Sequence, residues 1–143
     1  MKTLFEKQIK GNERKWFVVS AKGKTLGRLS TELARVISGR DSVAYTPHVD
    51  NGAYVIVTDA ETIEVSGKKE SDKFYRTHSQ YMGGLKETNL SKLREKNPTH
   101  IIEHAVLGML PKNKHQSDMI ARLKVVVGSE HQYGAQKPEA LSI

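Results

Sequence analysis

The 143-residue chain has 37% apolar residues, 27% charged residues and a formal net charge of +7, too apolar for a disordered chain and sufficient for one buried core. With no cysteine, it excludes disulfide frameworks, iron–sulfur clusters and thiol nucleophiles, and it suits a reducing compartment. Its longest apolar run, residues 105–110, contains Gly108 and is too short to span a membrane, and residues 1–10 mix Lys2, Lys7 and Lys10 with Glu6 rather than forming the apolar stretch of a secretion signal.

Trp16-Phe17-Val18-Val19 is a β-branched and aromatic run that predicts a buried strand, followed by a loop at Lys22-Gly23-Lys24. Leu26, Leu29, Leu33, Val36 and Ile37 recur at helical spacing with Arg28, Glu32 and Arg35 opposite, and Gly39 is placed to cap that helix. Tyr54-Val55-Ile56-Val57 predicts a strand covered on both faces, so strand, helix and strand make one crossover unit. Ile63 with Val65, and Phe74-Tyr75, are weaker strand candidates at an edge or loop rim. Asn97-Pro98 starts a helix whose Ile101, Ile102, Ala105, Val106 and Met109 are expected to face the core, and Leu110-Pro111 stops it. Close packing is expected at Gly108, where valine is predicted to damage the helix end. Met119, Ile120 and Leu123 suggest a short helix, and Lys124-Val125-Val126-Val127 a last strand closed by Gly128. The expected fold is one α/β domain over residues 1–143, a sandwich of three layers.

The charge is unevenly placed. Residues 1–40 carry ten basic and three acidic side chains, residues 41–65 five acidic and no Lys or Arg, and the rest thirteen basic and eight acidic. A basic surface concentrates polyanions, so nucleic acid is the first partner it points to and an anionic membrane the second, with a merely solvated surface as the plain alternative.

The catalytic patterns are incomplete. Gly23-Lys24-Thr25 lacks the earlier glycine of a phosphate-binding loop, since Val18 stands there in mid-strand. His100-Ile101-Ile102-Glu103-His104 matches an inverted zinc-peptidase pattern, but nothing selects a third ligand from Asp118 or Glu130, and two partly exposed histidines on an amphipathic helix are the simpler reading. No Gly-x-Ser-x-Gly elbow is present. No catalytic residue, metal site or cofactor is therefore predicted. Loops that mix cations, small residues and stacking groups are the stronger feature. Lys22, Lys24 and Arg28 sit at the first turn; Lys68, Lys69, Lys73, Tyr75, Arg76 and His78 lead into Gly83-Gly84; Lys112, Lys114 and Lys124 follow. Cations neutralise phosphates, glycines permit close backbone approach, and Tyr or His rings stack on bases, although a Tyr packing an edge strand is an equal alternative for Tyr75 and Tyr81. Several patches point to an extended RNA surface rather than a pocket. A free-standing binder of messenger RNA would use the same loops.

Collinear motifs run through residues 16–138: Leu26-Gly27-Arg28-Leu29, Tyr45-Thr46-Pro47-His48, Asp50 with Gly52, Ser66-Gly67-Lys68-Lys69, Gly83-Gly84-Leu85, Gly108-Met109-Leu110-Pro111-Lys112, Gly128-Ser129-Glu130-His131 and Ala135-Gln136-Lys137-Pro138. In this order the chain resembles the family of large-subunit ribosomal protein thirteen, in its bacterial or organellar form. The resemblance implies a three-layer α/β/α fold around a mainly parallel four-stranded sheet, a structural role without catalysis, and an early part in subunit assembly. It also implies large-subunit rRNA (23S type) and neighbouring large-subunit ribosomal proteins as partners, no membrane, no small-molecule substrate, and a cytoplasmic bacterial ribosome or an organellar one. His48 and His131, inside these motifs, join the expected RNA-binding set. Three departures stand out: His115-Gln116-Ser117 where the family has a second Leu-Gly-Arg, Ala53 where an acidic residue often follows Gly52, and Asp59 where asparagine is common.

Overall fold

Two runs without polar alternation form the centre of a parallel sheet. In the computed structural model, which describes residues 6–9, 11–43 and 45–143, β1 (Trp16–Ser20) pairs in parallel with β2 (Tyr54–Thr58), Trp16 opposite Tyr54 and Val18 opposite Ile56. β5 (Leu123–Val125) lies beyond β2 and β6 (Glu139–Ala140) beyond β1, both parallel, giving the order β5-β2-β1-β6. The expected α/β class with a four-stranded, mainly parallel sheet is what the chain forms.

Side chains alternate along a strand, so Phe17, Val19, Val55, Val57 and Leu123 share one face. That face joins the core with α1 (Leu26–Ser38), which packs on α4 (Pro98–Met109) and α5 (Gln116–Ala121). Leu29, Leu33 and Ile37 of α1 and Ile101, Ile102 and Val106 of α4 are fully buried, each contributing about 1.5–3 kcal/mol of apolar burial. On the other face Trp16 stacks on Tyr54 with ring centroids 4.2 Å apart, and Tyr133 lies 5.6 Å from Trp16. Tyr133 precedes a 3-10 turn at Gly134–Gln136, so the returning segment supplies contacts on that side.

Between β2 and α4 the chain forms α2 (Lys69–Asp72), an antiparallel hairpin of β3 (Phe74–His78) and β4 (Leu85–Asn89), and α3 (Leu90–Lys96). Arg94 fastens this excursion to the core: its guanidinium donates to the carbonyls of Glu61 and Ile63 and forks onto the Glu70 carboxylate at 3.0 Å.

The far end of α1 is tied into a buried ionic knot. The last carbonyls of a helix lack intrahelical partners. Here Arg35 accepts from the Arg40 N–H and Val36 from Gly39, whose φ of 79° is the left-handed form glycine adopts freely, while Ile37 accepts from Arg122 Nη2 at 3.0 Å. Arg122 also forks onto Asp50, with Nη1–Oδ2 at 2.5 Å and Nη2–Oδ1 at 2.6 Å. Arg14 donates to the Asp50 and Gly52 carbonyls. One cluster thus joins the start of β1, the end of α1, the entry to β2 and the entry to β5.

Several sequence expectations are corrected. Ile63 and Val65 form no strand: a 3-10 turn at Ala60–Thr62 precedes a single bridge of Glu64 to Thr25, because this stretch pins the β1–α1 turn instead of joining the sheet. The strand expected at 124–127 runs from Leu123 to Val125, and it is not the last, since β6 follows at Glu139–Ala140. Met109 is 45% exposed, turned to a groove rather than to the core. A side chain at Gly108 would meet open space, so close packing is not what places glycine there. Gly108→Ala is accordingly expected to stabilise the chain by about 0.5–1 kcal/mol, the usual gain on removing glycine from a helix, read as a higher unfolding midpoint in urea.

Candidate nucleic-acid interface

The β1–α1 turn, the 64–69 loop, α2 and the end of α4 meet around a groove of about 960 Å³. Its position is set by backbone bonds: Leu26 N–H donates to the Glu64 carbonyl at 2.8 Å and Glu64 N–H to the Lys24 carbonyl at 3.0 Å, locking two loops side by side. The pinning brings Arg28, from the first turn of α1, together with Lys68, Lys69 and Lys73, forty or more residues away in sequence. That first turn holds no acidic residue, so the partial positive charge of the helix N-terminus adds to theirs. Glu64 and Asp72 are the acidic groups in the lining, and Leu26, Val65, Ala105 and Met109 supply apolar surface.

The cations are available. Among the described residues, none of Arg28, Lys68, Lys69 and Lys73 is in an ion pair. Lys69 donates to Ser66 Oγ at 3.1 Å, and Lys73 Nζ lies 5.2 Å from the Tyr75 ring centre. Of the two carboxylates between them in sequence, Glu70 is engaged by Arg94 and Asp72 accepts from Ser71 Oγ at 2.7 Å. Such a surface neutralises phosphates without first giving up internal partners.

The family model described as Ribosomal protein L13 matches residues 14–132. This chain belongs to the ribosomal protein L13 family. Relatives named "Large ribosomal subunit protein uL13" include one from Legionella pneumophila (strain Corby), 53% identical over 136 residues and covering 94% of each chain. One from Clostridioides difficile (strain 630) is 52% identical over 130 residues, 91% of each chain, and one from Methylococcus capsulatus 52% over 131, 92% of each. The L13 family is structural and non-enzymatic, so an incomplete set of catalytic motifs is what membership requires.

The remaining residues expected to touch RNA in this L13 chain lie outside the groove lining. Lys22 is exposed on the turn before it, and Lys24 is half-buried beside Glu64. Arg76 is paired across the hairpin with Glu87 at 2.5 Å, alone among the expected Lys and Arg residues in having an ion-pair partner among the described residues. His78 Nδ1 accepts from the Gln80 N–H, and Gly83 and Gly84 close the hairpin turn, where Tyr81 and Met82 are exposed. Lys112 and Lys114 are exposed beyond α4, with Lys112 beside His104 and Gln116 in a smaller cleft. His48 lies exposed in the loop before β2. His131 stacks near Tyr133, and half-buried Lys124 lines a second depression with Arg14, both away from the groove.

Tyr75 is taken up internally. It packs against the core with its hydroxyl buried, 5.4 Å edge-on from His104 and 6.5 Å from His100. Burial raises its pKa, against the opposing effect of Arg94. Burial also lowers that of His104, helped by His100 and Lys73. The two histidines of the peptidase-like pattern therefore belong to a ring cluster with Tyr75 and Lys73. No local sequence pattern marks Arg14, Arg94 and Arg122 as structural cations or Thr25 and Glu64 as groove residues. Asn89 is a residue type that favours helix starts, and its Oδ1 caps α3 by accepting from the Ser91 N–H.

Proposed function

We propose that this chain is a constituent of the large ribosomal subunit that binds large-subunit rRNA, of 23S type, as a single domain over residues 1–143 in the bacterial cytoplasm. The observation that carries the proposal is the convergence on one groove of four cations that have no ion-pair partner among the described residues. Phosphate contacts there set orientation, and the shape of the folded RNA supplies selectivity. An early part in subunit assembly is the further reading that the family resemblance implies.

The test is salt dependence. With Lys68 and Lys69 both changed to alanine, the log–log slope of rRNA association against salt is expected to become shallower by about 2, with an unchanged unfolding midpoint because both side chains are exposed. The unaltered chain should travel with large subunits through a sucrose gradient at moderate salt. An unchanged slope, or a chain left at the top of the gradient, would overturn the reading.

A further inference from the structure

We propose that the groove holds one unstacked nucleotide of the RNA, its base laid on the apolar floor and its flanking phosphates on the lysine rim. This rests on the RNA-binding reading above and adds the conformation of the RNA at that point. A surface that only tracks a duplex backbone needs cations and little else. This one is a concavity of about 960 Å³ floored by Leu26, Val65, Ala105 and Met109. That is the size range of sites that enclose small molecules. Met109, 45% exposed, adds its apolar side chain to that lining, with Sδ accepting from the Thr31 hydroxyl at 3.6 Å.

The charges select the same occupant. Arg28, Lys68, Lys69 and Lys73 outnumber Glu64 and Asp72 by two, so the groove is complementary to an anion. The two carboxylates accept hydrogen bonds and repel phosphate, which suits them to the amino group of a base. An apolar segment of a neighbouring protein would cover the same floor but desolvate four cations and supply no counter-charge, a costly arrangement. A nucleotide satisfies floor and rim together, and single-stranded RNA is recognised by this pairing of base contact with phosphate neutralisation.

The experiment uses the full chain in assembled large subunits. A photoreactive p-benzoylphenylalanine replaces Met109 on one wall of the groove, or Gly27 on the other, where an added Cβ meets open space. Leu107, exposed on α4 and lining the smaller cleft, is the control position. After irradiation, reverse transcription is expected to stop at the same unpaired nucleotide for Met109 and for Gly27, with that stop lost for Leu107. Should one variant fail to fold, the other still reports. Crosslinks to a base-paired nucleotide, to a ribosomal protein, or to nothing in subunits that do contain the chain would overturn the proposal and leave the RNA-binding reading intact. Failure of the unmodified chain to enter subunits would overturn that reading instead.

Discussion

Replacing Asp50 with alanine is expected to lower the unfolding free energy by about 3–5 kcal/mol, the usual cost of leaving a buried charge without its partner. That is a large share of the roughly 5–15 kcal/mol that separates folded from unfolded domains. The carboxylate is held bidentately by Arg122 and lies 3.6 Å from Arg14 Nη2, and all three side chains are 4–7% exposed. Without it two guanidiniums face each other where water scarcely reaches, and arginine does not escape by losing its proton. Even with Asp50 in place, burial first and Arg122 second hold the Arg14 pKa below the usual arginine value. Urea unfolding should show a lower midpoint at an unchanged slope. Adding Arg122→Met to Asp50→Ala is expected to recover part of the loss, because an apolar side chain removes one of the stranded charges. A loss below about 1 kcal/mol, the range of exposed pairs, would mean that solvent reaches the cluster.

The contrast between Asp50 and Lys68 shows what the sequence discloses. Both stand in motifs that carry the family resemblance, yet one is sealed in a fold-closing ion pair and the other lies open on the groove. Motif membership reports that a residue matters without saying for what. Periodicity disclosed β1, α1, β2 and α4 because each buries a regular apolar face of its own. It failed for β4, Leu-Lys-Glu-Thr-Asn, which is held by pairing with β3, and for α3, in which Leu90 alone is fully buried and Arg94 does the anchoring. The two residues of β6 carry no pattern and gain their place from the edge of β1. Lys68, Lys69 and Lys73 were legible individually as cations. Their meeting with Arg28 depends on the Thr25–Glu64 bridge, a long-range register that no local pattern encodes.

Gly52→Ala should be as damaging as loss of Asp50, for steric rather than electrostatic reasons. A Cβ on Gly52 would lie 2.5 Å from the carbonyl carbon of Ile37, closer still to its oxygen, and 3.1 Å from Arg122 Nη2. Ile37 belongs to the last turn of α1, and its carbonyl is already fixed by Arg122, while the Gly52 carbonyl is fixed by Arg14 at 2.6 Å. Neither backbone can retreat without breaking a buried hydrogen bond. Overpacking typically costs about 1–3 kcal/mol and occasionally more; against two fixed backbones the upper end applies, and a fall of about 10 °C in unfolding midpoint follows for a chain of this length. The same variant separates fold from function: α1 has 13 residues and so is about 20 Å long, with Gly52 at one end and the groove at the other. Below its lowered midpoint, the Gly52→Ala chain should keep the wild-type salt slope for rRNA, whereas Lys68→Ala with Lys69→Ala should lose slope and keep the midpoint. A Gly52→Ala chain that unfolds within about 1 °C of wild type would show that the end of α1 and the 50–52 loop part freely, and the ionic knot would then not be what closes the fold.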